Sequence, residues 1–451
     1  MKKILSFFFV LLSIVNFAFA EDNLMIDIDN KESKKINIVF EKVNYIGDDT
    51  VNELFLNKIL EATKNDLETT GLFTVNNSLD SIYDNFDRIK DFSESELNDF
   101  VIEKYISTNI DAVLSGYLQK TEDGRIEFKV RLWDILDQRE LFGKYYIVDA
   151  KNYKRVGDVI ANNVYESLTG ELSGHFDSKI IFVSETGKIK NRKKKITIID
   201  FDGSGLKYLT DGKNLVLTPL FSRYNKDEII YLEYKNNRAE LYKKNLLDNN
   251  LKAISGIGEM TYAPNFNPNG TNEVVFSATR DGLSNVYKLN FDTNKMKQLT
   301  FDRAISTVPS WSPDGEKIVF VSDKTGVRKL YIMDKDGDNV ELISKNKGNY
   351  DKPSWSPDGK LISFVKIEKG EFSVGLMTPN GESERIIMSA YLVEGVKWSP
   401  NGRYLIYSKQ KGPFGKDSIP GIYIIDILTG VEHKIPTPKN QGATDPDWIN
   451  K

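Results

Sequence analysis

The 451-residue sequence contains no cysteine and only two histidines, His175 and His433. Without cysteine the chain has no disulfide, no thiol chemistry and no cysteine-linked lipid anchor. A histidine-based catalytic triad is disfavoured as well. Both histidines are interpreted as structural, because His175 lies between two predicted domains and His433 lies in a predicted edge strand. Stability must then come from packed cores, which a chain of this length can bury.

Long apolar runs are missing after the first twenty residues. Lys2 and Lys3 precede an apolar stretch, and Ala18 to Ala20 offers a small-x-small cleavage pattern, so residues 1–20 are predicted to be a secretory signal peptide. No later segment is long and apolar enough to predict insertion into a membrane. The formal net charge of −4 disfavours a phosphate-binding surface, and no nucleic acid partner is expected.

A repeated motif organises the second half of the chain. The segments VPSWSPDG, KPSWSPDG, GVKWSPNG and APNFNPNG are clear copies. The aromatic residue of each copy, with two weaker copies, recurs every 43 to 50 residues; these anchors are Phe221, Phe266, Trp311, Trp355, Trp398 and Trp448. This period is typical of one four-stranded blade of a β-propeller. The repeated tryptophans are interpreted as packing residues rather than as a ligand cage.

The phase of the repeat sets the number of blades. The first unit, near Lys179, has no anchor strand before it, and the last anchor, Trp448, has no strands after it. These two fragments together complete one blade, so the C-terminal strand is predicted to close the ring. The sequence therefore predicts an all-β six-bladed propeller over residues 178–451.

Residues before the propeller follow a different pattern. Strands and amphipathic helices predict a small α/β domain over residues 35–170, joined to the propeller by a linker at 171–177. The first helix is predicted from Thr50 to about Thr70, ending at Gly71. Residues 21–34 are predicted to be a flexible segment. Leu24, Ile26 and Ile28 alternate there along the chain, a pattern that can pair with the sheet edge of a partner.

Catalytic and metal-binding motifs are scarce. Asp334 to Glu341 is superficially like a calcium loop, but Gly337 and Lys345 stand in the wrong register, so a hairpin turn is predicted. The basic run at 191–195 is interpreted as a solvated hairpin tip. No nucleophile elbow, phosphate-binding loop or dinucleotide fingerprint occurs. The protein is expected to be no enzyme and to have no cofactor or metal.

Two alternatives stay open. One is a secreted propeller enzyme, a sugar lyase or hydrolase with a carboxylate site in the channel. The other is a propeller that binds calcium or a small ligand in its channel.

The predicted signal peptide, the α/β domain and six repeats carrying PSWSPDG or its variants together resemble the TolB family. The resemblance covers essentially the whole chain. Members of this family are the periplasmic component of the Tol-Pal system of Gram-negative bacteria.

This resemblance implies a monomeric periplasmic scaffold with two partners. A Pal-like peptidoglycan-associated lipoprotein would bind over the channel mouth, and a TolA-like inner-membrane protein would contact Leu24, Ile26 and Ile28 in the segment 21–34. The system would support outer-membrane integrity and outer-membrane invagination during cell division. By position relative to the anchors, the Pal-facing residues are Met260, Ala263, Thr307, Asn349, Tyr350, Asp351 and Glu394. Met260 departs from the polar residue that relatives often have there.

Overall fold

The structure is a computed structural model that describes residues 35–41, 44–46, 50–77, 99–149, 152–170, 175–187, 191–235, 238–254, 260–413 and 419–450. The predicted signal peptide and the segment 21–34, with Leu24, Ile26 and Ile28, lie outside the described residues. No helix in the described part of the chain is long and apolar enough to cross a membrane.

The first described domain is a six-stranded sheet with helices on both faces. Its strands are β1 (Ile36–Phe40), β2 (Asn44–Ile46), β3 (Phe73–Asn77), β4 (Ala112–Lys120), β5 (Ile126–Asp134) and β6 (Arg139–Val148). Its helices are α1 (Thr50–Thr69), α2 (Asp99–Ser107) and α3 (Tyr153–Thr169). The strand order is β3-β1-β4-β5-β6, with β2 paired to β4. The predicted α/β class is therefore confirmed.

Alternation along β1 explains the two helical layers. Ile38 and Phe40 face a core that contains α1 and α3, whereas Val39 faces Ile102 and Tyr105 of α2. Successive side chains of a strand point to opposite faces, so an apolar run is buried on both sides.

The second domain contains six four-stranded sheets. The strands that come first in the chain, and later form part of the sixth blade, are β7 (Ser178–Thr186), β8 (Lys193–Asp200) and β9 (Lys207–Tyr208). The strands of blades one to three are β10 (Leu215–Phe221), β11 (Glu228–Lys235), β12 (Arg238–Asn245), β13 (Leu251–Ile254), β14 (Met260–Phe266), β15 (Glu273–Arg280), β16 (Leu283–Asn290), β17 (Met296–Gln298), β18 (Ser306–Trp311), β19 (Lys317–Ser322), β20 (Lys329–Asp334) and β21 (Glu341–Leu342). The remaining strands are β22 (Asn349–Trp355), β23 (Ile362–Glu368), β24 (Glu371–Met377), β25 (Arg385–Ala390), β26 (Leu392–Trp398), β27 (Tyr404–Gln410), β28 (Gly421–Asp426), β29 (Glu432–Lys434) and β30 (Gly442–Asn450). Blades one to five are four consecutive strands each, starting at β10.

The sixth blade joins the two ends of the propeller. Its strand order is β30-β7-β8-β9, so the C-terminal strand is the innermost strand of a blade that begins at Ser178. Ser178 also donates a hydrogen bond to Asn450 Oδ1 at 2.6 Å. The six-bladed ring and its closure by the C-terminal strand are confirmed.

The turns after the anchors of blades three, four and five repeat the same side-chain chemistry. In blade three, Ser312 Oγ donates to Asp314 Oδ1 at 2.5 Å, and the N–H of Lys317 donates to Ser312 Oγ at 2.9 Å. Gly315 then takes a φ of +71°, which an L side chain disfavours. Hydrogen bonds to the Asp314 carboxylate hold its pKa below the usual value. The serine, aspartate and glycine of the motif are thus turn residues.

A single core connects the two domains. Tyr165 of α3, Phe176, Tyr404 of β27 and Trp448 of β30 belong to it, together with the apolar face of the first domain. The hydroxyls of Tyr165 and Tyr404 lie 2.7 Å apart. His175 and Phe176, which the sequence places in the linker, are fully buried in this core.

The end of α1 contacts the propeller closely. A Cβ on Gly71 would lie 1.7 Å from Cε1 of His433, so only glycine allows this approach. Burial lowers the pKa of His433, which favours the neutral ring. Both histidines therefore lie at the contact between the domains.

Truncating Trp448 should be more destabilising than truncating another anchor. Trp448 is the largest fully buried side chain and serves both ring closure and domain contact. We expect Trp448→Ala to lower the free energy of unfolding by about 3–5 kcal/mol in urea titrations. Trp355→Ala removes the same side chain from blade four, where it is only partly buried, and should cost less. An equal or larger loss for Trp355→Ala would contradict a special role for the closing blade.

Candidate protein-docking site

The channel has two mouths that differ in the chain segments around them. The six innermost strands, β10, β14, β18, β22, β26 and β30, all start at one face, here called the top face. Loops between blades, and loops between the second and third strands of a blade, lie on this top face. The turns after the anchors lie on the opposite, bottom face. The α/β domain packs near the bottom face, where Tyr404 and His433 lie.

A bulge interrupts every innermost strand at the same point. Each strand shifts register against its neighbour there, and the residue at the shift has a positive φ between 44° and 65°. The six residues are Thr218, Ala263, Val308, Lys352, Gly395 and Asp445. Their ring forms a narrow part of the channel with a volume of only about 50 Å³. Ala263, a predicted contact, is thus half-buried at the constriction rather than on the rim.

Proline follows the bulge in five of the six strands. The channel side of an innermost strand has no partner strand, so the missing N–H of proline removes no ladder hydrogen bond there. A left-handed residue costs about 1–3 kcal/mol and persists only where the surroundings fix it. The repeated bulge therefore fixes the shape of the mouth above it.

Three predicted contact residues hold equivalent positions just above the constriction. Thr307, Asp351 and Glu394 directly precede the bulge residue in blades three, four and five, and each is partly exposed. These three residues are called the polar trio below. Equivalent positions in the other blades are Leu217, Tyr262 and Thr444.

A loop of blade three is fixed to the first strand of blade four. Arg328 Nη1 lies 2.8 Å from Asp351 Oδ2 in an ion pair. The N–H of Arg328 donates to Asn349 Oδ1 at 3.1 Å. Asp351 and Asn349 therefore hold the top loop in one position, and each keeps part of its surface open to solvent.

Tyr350 is placed differently from its two neighbours. Its side chain is 0% exposed, packs on Phe364 and donates from its hydroxyl to Glu384 Oε2 at 2.7 Å. The ammonium groups of Lys329 and Lys366 lie over its ring. Burial and the Glu384 carboxylate raise the pKa of the Tyr350 hydroxyl. Its side chain therefore supports the blade from within and is not part of the surface.

Glu394 has an unfavourable electrostatic environment. Burial raises the pKa of its carboxyl, and the carboxylates of Asp445 and Glu185 raise it further. Lys352 and Lys194 partly offset this effect. A charge that the fold disfavours is a common property of binding sites.

Part of the basic run at 191–195 is not a solvated hairpin tip. Lys193 is the first residue of β8, and Arg192 and Lys194 form ion pairs with the buried Glu185 of β7 at 2.8 and 2.6 Å. The interpretation as a solvated tip is wrong for these two residues, because a buried carboxylate on the neighbouring strand holds them.

Exposed apolar side chains on the top face complete the candidate site. Met260 is 51% exposed at the start of β14, and Phe301, in the loop between blades two and three, is 76% exposed. The exposed large apolar residues of the top face are Leu215, Met260, Leu283, Phe301, Ile305, Val327, Tyr391 and Ile419. Five of them belong to blades two and three or their connection. We call these five, Met260, Leu283, Phe301, Ile305 and Val327, the apolar arc.

Only Met260 of the apolar arc is predicted from the sequence. Phe301 and Ile305 do carry a signal, because apolar residues in the loop directly before an anchor strand have no packing role in the repeat. Leu283 and Val327 lie at the connection between the second and third strands of their blades, where the sequence gives no such signal. A cluster of exposed apolar residues with polar neighbours is typical of a protein-binding surface.

The described part of the chain has no group of three Asp, Glu, His or Cys side chains that could hold a metal ion. The segment from Asp334 forms a turn between β20 and β21. In it the N–H of Gly337 donates to the carbonyl of Asp334 at 2.9 Å. The predicted hairpin turn is confirmed.

These features define a six-bladed propeller with an amino-terminal α/β domain and a top mouth suited to docking. Residues 165–451 match the family model described as the TolB beta propeller domain, and residues 24–141 match the TolB amino-terminal domain. The chain belongs to the TolB family.

Solved structures support the fold. TolB from Acinetobacter baumannii is 21% identical, with a TM-score of 0.76 over 93% of this chain and 98% of that chain. Hydrazine synthase from Kuenenia stuttgartiensis is 13% identical, with a TM-score of 0.50 over 63% of this chain and 50% of that chain. At these identities both likenesses concern the fold alone.

Neutralising Glu394 should stabilise the protein at neutral pH. A raised pKa means that the folded state binds the proton more tightly than the unfolded state. The protein therefore loses stability as pH rises above about 4.3, the pKa of this carboxyl in the unfolded state. We expect Glu394→Gln to raise the urea midpoint at pH 7, by an amount that shrinks toward pH 4. Glu316→Gln, on an exposed bottom turn, should change little at either pH. A lower midpoint for Glu394→Gln at pH 7 would mean that Lys352 and Lys194 dominate.

Proposed function

We propose that this protein is a non-enzymatic periplasmic scaffold of a Tol-Pal system. It binds a Pal-like peptidoglycan-associated lipoprotein at the top mouth and a TolA-like inner-membrane protein through residues 21–34. In this role it supports outer-membrane integrity and the invagination of the outer membrane during cell division. Membership in the TolB family supports a role in this system. The predicted signal peptide supports the periplasmic location.

The observation that carries the proposal is the composition of the top mouth. The apolar arc supplies exposed side chains that lose contact with water on docking, and the polar trio supplies groups that can select a partner. The loops that carry them are attached to a ring whose innermost strands are fixed by bulges and pairing. Binding residues on loops held by a rigid scaffold need little reorganisation on association.

A propeller enzyme with a carboxylate site in the channel is supported less well. Asp447, a channel carboxylate, is engaged by Arg223 Nη2 at 2.6 Å and by the N–H of Phe221 at 2.9 Å. Both contacts hold it as a structural acceptor and leave it poorly placed for acid–base work. The likeness to an enzyme in fold alone does not assign an activity.

Substitutions on the top face should weaken the lipoprotein partner's binding. We expect Met260→Asp with Phe301→Asp, or Thr307→Arg, to lower affinity at least tenfold, because each places a charge in the docking surface. The measurement is isothermal titration of the mature protein with the soluble domain of the Pal-like lipoprotein from the same organism.

The bottom face offers a matched control. Tyr224 and Leu247 are 71% and 75% exposed there, so Tyr224→Asp with Leu247→Asp makes a similar change on the opposite face. This control should bind as the parent does. Undiminished binding by the top-face variants, or a loss confined to the bottom-face variant, would refute the assignment of the top mouth.

Deleting residues 21–34 should abolish binding of the TolA-like partner and leave the fold intact. The expected result is loss of pull-down by the TolA-like periplasmic domain with an unchanged melting temperature. In a second variant, Leu24→Ser, Ile26→Ser and Ile28→Ser keep the segment's length and remove its apolar side chains. A fall in melting temperature on deletion would instead make the segment structural.

A further inference from the structure

A larger cavity lies at the bottom mouth of the channel, on the opposite face from the docking site. Its volume is about 470 Å³, within the range of roughly 300–1,000 Å³ that is typical of small-molecule sites. The ends of all six innermost strands form its wall, which includes Trp311, Trp355 and Trp398 and the prolines two positions after the anchors.

The anchor N–H groups of the inner strands point into this channel. In blade three, the residue after the anchor makes the ladder bond, from Ser312 N–H to the carbonyl of Lys317 at 2.9 Å. N–H groups alternate in direction along an antiparallel strand, so the N–H of Trp311 points away from the sheet. The same ladder bond recurs in blade five, from Ser399 to Tyr404 at 2.8 Å.

At two of the six blade junctions, a side chain of the preceding blade accepts from the anchor N–H. The N–H of Trp311 donates to Asn265 Oδ1 at 3.0 Å, and the N–H of Phe221 donates to Asp447 Oδ2 at 2.9 Å. Asn265 and Asp447 each stand directly before the anchor of their own blade. The residues at this position around the ring are Leu220, Asn265, Ser310, Ser354, Lys397 and Asp447.

Blade five has a lysine at this position, and blade one has Leu220, which cannot accept either. Lys397 occupies in blade five the position that Asn265 and Asp447 occupy in their blades. The anchor of the next blade is Trp448. An ammonium group can only donate, so it cannot accept from the Trp448 N–H. Across the residues that the structure describes, Lys397 Nζ has no hydrogen bond and no ion pair. The cavity is therefore lined by a cation that makes no such contact.

Charged groups of both signs surround Lys397. Burial, together with the cations of Arg223 and Lys352, lowers the pKa of its ammonium group to about 8, while the carboxylates of Asp447 and Asp445 act in the opposite direction. The carboxylate of Asp447 is already held by Arg223. An added anion would offset the buried cation.

We propose that the bottom cavity binds a carboxylate carried on an apolar body. The carboxylate pairs with the ammonium group of Lys397, which lines the cavity, and the apolar body packs on the tryptophans and prolines of the wall. Asp447 shows that this part of the channel can hold a carboxylate, because its carboxylate pairs with Arg223 and accepts a hydrogen bond from the N–H of Phe221. This site is separate from the top mouth and does not depend on the proposed function.

Isothermal titration of the mature full-length protein at pH 7 tests the site. The probes are 3-phenylpropionate, a free acid, and N-acetyl-phenylalanine, which represents the end of a peptide; N-acetyl-phenylalanine amide is the neutral match. We expect the acid to bind at least tenfold more tightly than its amide. Preference for N-acetyl-phenylalanine over 3-phenylpropionate supports a peptide terminus as the source of the carboxylate, and the reverse preference supports a free acid.

Two variants locate the binding at Lys397. Lys397→Met replaces the buried ammonium group by an apolar side chain of similar length and should reduce the affinity for the acid to that for the amide. Its melting temperature should not fall. Lys335→Met changes an exposed lysine on a bottom turn and should leave the preference intact.

The pH dependence supplies an independent readout. Affinity for the acid should fall as pH rises through about 8, where Lys397 loses its proton, and affinity for the amide should stay constant. Equal binding of acid and amide, unchanged acid binding by Lys397→Met, or no binding of either acid would overturn the proposal.

Discussion

The pairing of β30 with β7 is the contact on which the rest of the structure depends. It joins the last strand to the first strand of the propeller, so neither is left as an open edge that could pair with another chain. Closing so long a loop costs conformational entropy, and the buried strand pair and the indole of Trp448 offset that cost. Trp448 packs in the same core as Tyr165 and Tyr404. Ring closure and the docking of the α/β domain therefore share side chains.

The bulges in the six inner strands impose the second constraint. They place a left-handed residue at one level of the channel in every blade, and this level lines a small cavity of about 50 Å³ that shares Leu220 and Lys397 with the larger cavity below it. Above that level lie Thr307, Asp351 and Glu394, which belong to the proposed docking surface. Below it lie the anchors and the cavity of the bottom face. One local backbone feature, repeated six times, thus lies between the two proposed binding sites.

The repeat could be predicted because local chemistry determines it. Ser312, Asp314 and Gly315 form their turn with neighbours in the chain, so the motif is visible in the sequence. The strand Phe73–Asn77 was not predicted, since five residues are too few for a clear alternation. Long-range contacts determine the features of the site that the sequence does not show. Tyr350 is covered by Lys329, Lys366 and Glu384 from other strands, and the exposure of Phe301 depends on how its loop packs.

Blade five departs from the sequence pattern of the other blades at three consecutive positions of its innermost strand. Gly395 replaces the larger residue of the other bulges, Val396 replaces proline, and Lys397 replaces an acceptor or a neutral side chain. Positions that all blades share are explained by packing and turn geometry, because every blade has the same requirement there. Packing and turn geometry do not explain a departure from this pattern. The departure in blade five leaves Glu394 and Lys397 with charges that burial disfavours. Glu394 faces the top mouth and Lys397 lines the bottom cavity. The least regular blade therefore places one charged side chain toward each end of the channel, which is where selection for binding, rather than for folding, would act.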